Sequence, residues 1–194
     1  MIAGPNGAGK STLSQTILAP FSLTAFDWDF EFHTRWRRFS LDPSVSEGVS
    51  NTTNEFFEAL VDQSLDDASD FAFETNFHTS EVIELCDRFR RAGFEIRLYF
   101  LWLPHSQLAK ERVAKRVARG GHPVSNSTIE ERFAKGLRLL DGHWHEFEGL
   151  VILNAGLGFR NEVMMIVERG KILESFVSAE ELKATLPGLA AKLS

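Results

Sequence analysis

The sequence holds one cysteine, Cys86, which excludes an internal disulfide and a paired C-x-x-C centre of the metal or redox kind. No run of about 18 apolar residues and no signal-peptide pattern occurs, so nothing predicts a membrane span and the cytoplasm is the expected compartment. Basic charge is in short supply. Lysine and arginine number 21 against 27 aspartates and glutamates, a formal net charge of −6, which argues against general affinity for a nucleic-acid backbone or an anionic membrane. Any anion must be held by a local set of cations. One tyrosine stands against 17 phenylalanines, which describes a dry core and carries no functional message. Neither a G-x-S-x-G elbow nor an L-S-G-G-Q signature is present, so hydrolase and transporter-ATPase readings find no support. What remains is 194 residues, 43% of them hydrophobic, enough for one globular domain spanning 1–194 with a sizeable core.

The chain is organised around Gly4-Pro5-Asn6-Gly7-Ala8-Gly9-Lys10-Ser11-Thr12, which fits G-x-x-x-x-G-K-[ST]. Three glycines let the backbone curl through dihedrals that a Cβ would forbid, so that successive N–H groups point inward around a polyphosphate. Lys10 adds a mobile positive charge at the β/γ-phosphates, and Ser11 offers a hydroxyl to Mg²⁺ at the start of a helix whose free N–H groups face the same anion. ATP with Mg²⁺ is the expected ligand pair. Only Met1, Ile2 and Ala3 are left to form the preceding strand, from which we expect a native start upstream or a trimmed chain.

Downstream, strand and helix signals alternate, the mark of an α/β fold with a central, mostly parallel sheet and helices on both faces. A helix is expected over 13–18 and a strand over 21–28, ending in Asp27-Trp28-Asp29. Residues 34–50, with Arg35, Arg37, Arg38, Pro43 and Gly48, read as a loop or short helical insertion, and 51–68 as an amphipathic helix. Phe71-Ala72-Phe73 is a short strand with Glu74-Thr75-Asn76 at its end. Thr79 or Ser80 caps a helix that Gly93 stops, and 96–103 is apolar enough for a strand buried on both faces. A helix over 107–119 runs into Arg119-Gly120-Gly121-His122-Pro123. Ser127-x-x-Glu130 predicts a capping box opening the next helix. A strand at 150–153, a hairpin over 163–174 and a helix from about Ala179 complete the chain.

Three constellations bear chemistry. On the 107–119 helix, Arg112, Lys115, Arg116 and Arg119 share one face while Ala109, Val113 and Val117 share another, which is one packing face and one cationic face. The plain alternative pairs that face with Glu111, Glu130 or Glu131. Followed by Gly-Gly-His, it describes a lid over about 105–127 whose arginines neutralise charge on a transferring phosphoryl group. Asp29, at a strand end beside the glycine loop, is placed to orient an acceptor hydroxyl and take its proton; the plain alternative, a solvated turn or a helix cap, weighs more for Asp27 than for Asp29. Glu74, at the end of another strand, is placed to bind substrate, to hold Mg²⁺ through water, or merely to cap. His143 and His145 lack further close ligands and read as structural, and Cys86 falls on an apolar helix face as core.

Taken in order, Ile2–Thr12, Asp27-Trp28-Asp29, Phe71-Ala72-Phe73-Glu74-Thr75, Leu101-Trp102-Leu103-Pro104 and Arg112-Val113-x-x-Arg116-Val117-x-x-Gly120-Gly121-His122 resemble the zeta toxin family of P-loop kinases, in its chromosomal single-domain branch. The resemblance covers roughly residues 2 to 155. It implies a kinase-like fold, ATP·Mg²⁺ as donor, and phosphorylation of the 3′-hydroxyl of the amino sugar in UDP-N-acetylglucosamine. It also implies that Lys10 and Ser11 bind phosphate and Mg²⁺, that Asp29 is the base, that Glu74 and Thr75 contact the sugar nucleotide, and that Arg112 and Arg119 clamp the phosphates. Arg116 joins them from the helical face alone. An antitoxin protein is the implied partner. Residues 30–50 and Lys135, where the family pattern calls for arginine, depart from the resemblance and bear on the acceptor more than on the donor. The competing readings are a P-loop kinase for another hydroxyl, such as a nucleoside or an antibiotic, and a nucleotide-binding ATPase switch.

Overall fold

A computed structural model describes residues 1–156 and 162–193. In chain order the elements are β1 (Ile2–Ala3), α1 (Lys10–Leu18), β2 (Phe26–Asp27), α2 (Trp28–Arg37), α3 (Ser46–Asp67), β3 (Phe73–Thr75), α4 (Glu81–Arg91), β4 (Arg97–Trp102), α5 (Ser106–Val117), α6 (Asn126–His143), β5 (Gly149–Asn154), β6 (Glu162–Glu168), β7 (Lys171–Ser175), α7 (Ala179–Lys183) and α8 (Pro187–Ala190). The described residues form two compact units, one of Met1–Lys10 with Asn76–Ser194 and one of Ser11–Thr75.

In the first unit β1 lies parallel to β4, with Ile2 beside Tyr99, and β4 lies parallel to β5 over six residue pairs. The hairpin of β6 and β7 then continues the sheet antiparallel from β5. Leu98, Phe100, Leu101, Leu150, Ile152 and Met165 are buried with at most 1% exposure, as expected of strands covered on both faces. The hairpin turns at Arg169 and Gly170, both at positive φ, which is the geometry a tight two-residue connection needs.

In the second unit β2 and β3 pair in parallel, with Phe26 beside Phe73 and Asp27 beside Glu74. Phe57 on α3 packs its ring against Phe26, Phe71 and Phe73. This aromatic cluster holds α3 to the pair and uses the phenylalanine excess of the composition.

The observed elements depart from the expected boundaries for local reasons. Residues 19–21 form a 3₁₀ turn with Pro20 in its first turn, and Ser22 is left-handed, so the strand expected from Phe21 shrinks to β2. Trp28 already starts α2, because Asp27 caps it by accepting from the Phe30 N–H at 3.1 Å. Much of 34–50 is accordingly helical, and α3 starts at Ser46 rather than 51. The strand expected at 71–73 is shifted to 73–75, in register with β2, which brings Glu74 and Thr75 into the strand itself. The capping box expected at Ser127 does not form. Ser125 is the cap, its Oγ accepting from the Thr128 N–H at 3.1 Å, so α6 starts two residues earlier than the motif suggested. The last helix is two short ones, the first opened by a capping box of Ser178 and Glu181 and the second started by Pro187.

Candidate active site

Within the first unit the glycine loop is shaped by close approach. Gly4 sits at φ 143°, and a Cβ there would lie 2.5 Å from the Leu101 carbonyl oxygen of β4. Gly7, at φ 78°, rests on α5, where a Cβ would come within 3.0 Å of the Ala109 carbonyl oxygen and 3.1 Å of Arg112 Cβ. Any side chain at either position would push the loop off its support. Gly9, at φ 96°, has open space where a Cβ would point. Pro5, Asn6 and Ala8 are buried and anchor the loop, while Gly9, Ser11 and Thr12 are exposed. A backbone curled this way, with an open side at Gly9, fits a polyphosphate. The Lys10 Nζ donates to the carbonyl oxygens of Gly4 at 2.9 Å and Pro5 at 3.4 Å, and to Asn76 Oδ1 at 2.9 Å.

The same contact that seats Gly7 brings α5 to the loop. His105 caps α5, its Nδ1 accepting from the Leu108 N–H at 3.2 Å, and Ala109 and Val113 form the buried face. Arg112, Lys115, Arg116 and Arg119, with Gly120 and Gly121, line a cleft of about 550 Å³. The carboxylates that the plain alternative pairs with this face are taken elsewhere: Glu130 by Lys110, Glu131 by Lys135 at 2.6 Å, and Glu111 by the Gln107 amide at 3.2 Å. The Lys135 ammonium also holds the Glu131 carboxyl below the usual range, first by hydrogen bonding and then by its charge. The side chains of Arg112, Lys115 and Arg119 make no hydrogen bond or ion pair among the described residues. Arg116 differs from its neighbours. Its Nη2 donates to His122 Nε2 and to the His122 carbonyl oxygen, both at 3.1 Å, which ties the Gly120–His122 loop back onto α5. Because arginine only donates, His122 Nε2 must be the acceptor.

Within the second unit, hydroxyls and carboxylates converge. Ser11 Oγ lies 2.9 Å from Glu74 Oε2 and 3.2 Å from Asp27 Oδ2, and Ser14 Oγ donates to Glu74 Oε1 at 2.7 Å. The single proton of Ser11 can serve only one of its two carboxylate neighbours at a time, so a cation at this place would satisfy the other. Three hard oxygen donors from a serine, an aspartate and a glutamate suit Mg²⁺, with water completing the shell. Asp29 is half-exposed in the first turn of α2, and its side chain makes no hydrogen bond or ion pair among the described residues. Thr75 closes β3 beside Glu74.

The zeta toxin family profile matches residues 1–156, four-fifths of the chain. The protein belongs to the zeta toxin family. Its fold is similar to that of a toxin from the PezAT chromosomal toxin–antitoxin system of Streptococcus pneumoniae, at 15% identity and a TM-score of 0.62, covering 99% of this chain and 81% of that one. A candidate kinase from Chloroflexus aurantiacus is also similar, at 18% identity and a TM-score of 0.54 over 68% of this chain and 74% of that one. At such identities these likenesses establish the fold, a P-loop kinase-like α/β architecture. Among curated proteins, a mini-ribonuclease 3 from Desulfitobacterium hafniense is 34% identical over 67 residues, which is 34% of this chain. The chain spans 43% of the length of that curated relative, and so short a match carries no activity across.

Within this zeta-toxin frame, the structure brings Arg112 against Gly7 of the loop in the first unit and gathers Ser11, Asp27 and Glu74 in the second. Asn76, Ser14 and the pairing of Asp27 with Ser11 were not anticipated. Ser14 lies one turn beyond Ser11 on α1, a spacing that marks a shared helix face. Asn76 directly follows the Glu74-Thr75 pair. Neither residue stands out by type, which is why the sequence offers only position as a signal. Cys86 is buried, and that burial pushes its thiol up to about 11, as befits a packing residue. Among the described residues, no cluster of histidine, cysteine, aspartate and glutamate forms a further metal site, and no helix is long and apolar enough to cross a membrane.

Proposed function

We propose that this protein is an ATP-dependent kinase of zeta-toxin type that phosphorylates a sugar hydroxyl of a UDP-amino sugar such as UDP-N-acetylglucosamine. The observation that carries the reading is a glycine loop seated through Gly7 on α5, a helix whose Arg112, Lys115 and Arg119 side chains have no internal partners among the described residues. The backbone from Gly4 to Thr12 holds the phosphates, and Lys10 supplies charge at the β/γ position. Ser11, Asp27 and Glu74 hold Mg²⁺, which when bound neutralises phosphate charge. The hydrogen bonds of Glu74 to Ser11 and Ser14 favour this metal role for it and leave Thr75 to the acceptor.

Asp29 accepts the proton of the acceptor hydroxyl as that oxygen bonds to the γ-phosphorus and the bond to the β–γ bridging oxygen breaks, releasing ADP. Arg112 and Arg119 stabilise the charge spread over the moving phosphoryl group. Arg116 contributes through the loop it fastens. An antitoxin protein is the partner this reading calls for, and ATP with a sugar nucleotide makes the cytoplasm its compartment.

Incubation with γ-labelled ATP, Mg²⁺ and a panel of UDP-sugars, nucleosides and aminoglycosides tests it. Label on UDP-N-acetylglucosamine is expected. Label on a nucleoside or antibiotic alone would replace the acceptor, and ATP hydrolysis with no labelled acceptor would point to a nucleotide switch.

A further inference from the structure

The Lys10 ammonium is folded back onto the protein. Three acceptors lie within its reach, Gly4 O, Pro5 O and Asn76 Oδ1, as many as an ammonium has N–H bonds. Two of them are carbonyls of the glycine loop itself and move with it. The third comes from a residue 66 positions away in sequence.

Asn76 is held there by construction. Phe77, next to it, is fully buried at φ 53°, a left-handed conformation that bulky residues rarely adopt and that persists only where packing enforces it. The rings of Phe100 and Phe147 pack against Phe77, each with its centroid 6.1 Å away. From the other side α6 approaches at Gly136, where a Cβ would lie 3.0 Å from the Asn76 carbonyl oxygen and 3.1 Å from that of Phe77. The turn that carries Asn76 is therefore wedged between a helix and a buried ring.

We propose that Asn76 is the resting-state partner of the P-loop lysine, a positioning residue whose amide oxygen is exchanged for a phosphate oxygen when nucleotide binds. To donate to a β- or γ-phosphate, Lys10 must free one N–H. Of the three acceptors named, the two loop carbonyls stay beside it in either state, and the bond to Asn76 is the one that a phosphate oxygen replaces. Binding of a triphosphate then works against that bond, and a monophosphate, which does not reach Lys10, does not.

This inference rests on the ATP-binding reading above, and calorimetric titration separates the two. Wild type, Asn76→Ala and Asn76→Asp are titrated with a non-hydrolysable ATP analogue and Mg²⁺, and separately with AMP, after a melting scan of each variant. Loss of a charge-assisted hydrogen bond from the free state should tighten the analogue about 3- to 10-fold in Asn76→Ala, and a carboxylate in its place should weaken it about 10-fold or more. AMP affinity should not change in either. A merely structural role would weaken both variants alike, in step with their melting points. Unchanged or weaker analogue binding in a folded Asn76→Ala overturns the exchange, as does tighter binding in Asn76→Asp. Wild type that fails to bind the analogue overturns the ATP reading and this inference together.

Discussion

The two polar constellations differ in how far their charges are already answered inside the protein. In the Ser11–Thr75 unit, Asp27 and Glu74 are engaged by Ser11, Ser14 and the Phe30 N–H. On α5, in the other unit, Arg112, Lys115 and Arg119 line a cleft while the nearby carboxylates are spent on Lys110, Lys135 and Gln107. A carboxylate group that is tied down can orient hydroxyls and a hard cation, whereas a cation left to solvent loses little free energy there and gains much when a polyanion arrives. On the proposed reading this difference assigns the metal to the first set and phosphate to the second, in a protein whose net charge of −6 leaves any anion to a local set of cations.

The largest test removes the cation that the glycine loop itself supplies. Lys10→Ala should reduce phosphoryl transfer by at least about 10²- to 10³-fold, the scale for removing one preorganised charge stabiliser, with little change in melting temperature. A large fall in melting temperature without ligand would mean that Lys10 serves the fold instead.

Asp29 and Asp27 sharpen the contrast inside the carboxylate side. Asp29→Asn should cut transfer by about 10² to 10⁴ while Mg·ATP binding, read by calorimetry, stays put, because a base touches the acceptor and not the triphosphate. Asp27→Asn should do the reverse. Asparagine caps a helix as well as aspartate does, so stability is kept, and the Mg²⁺ concentration for half-maximal activity should rise about 10-fold or more. Asp27→Ala should in addition cost about 1 kcal/mol in denaturant unfolding through the lost α2 cap. If both asparagine variants behave alike, the division of labour between the two aspartates fails.

On the cationic side, Arg119→Ala and Arg116→Ala should each lower kcat/KM by more than about twofold, an effect above roughly 0.4 kcal/mol, while melting temperatures hold. Arg119 should act on transfer directly and Arg116 through the loop, so proteolysis within 118–123 should quicken in Arg116→Ala alone. Values within twofold for both would return α5 to a plain solvated helix.

The smallest expected effect is a control lying outside both constellations. Since burial raises the Cys86 thiol to about 11, its thiolate is scarce at neutral pH, and native protein should not react with a thiol reagent until it is unfolded. Rapid labelling of folded protein would show that the core around α4 opens.

The glycine loop, the cationic face of α5 and the buried strand β4 were legible because each is a local pattern with one physical solution: φ beyond the reach of most side chains, a 3.6-residue period, an unbroken apolar run. The boundaries of β2 and β3 were not, since strands of two and three residues have no period to read and their limits come from the Asp27 cap and the pairing of Phe26 with Phe73. Arg116 shared the face of Arg112 and Arg119 in sequence, and nothing in a helical wheel could reveal that the chain after Gly120 turns back to occupy it.

By itself the sequence determined a P-loop, the family, and a set of candidate residues for phosphate, metal and proton. Tertiary structure alone decided their engagement: Gly7 seated on α5, Asp27 beside Ser11, and Asn76 brought to Lys10 by a wedged turn. The physical reason is range. Backbone conformation and helix faces are set by neighbours a few residues apart, whereas a hydrogen bond across 66 positions exists only after the strands between have packed.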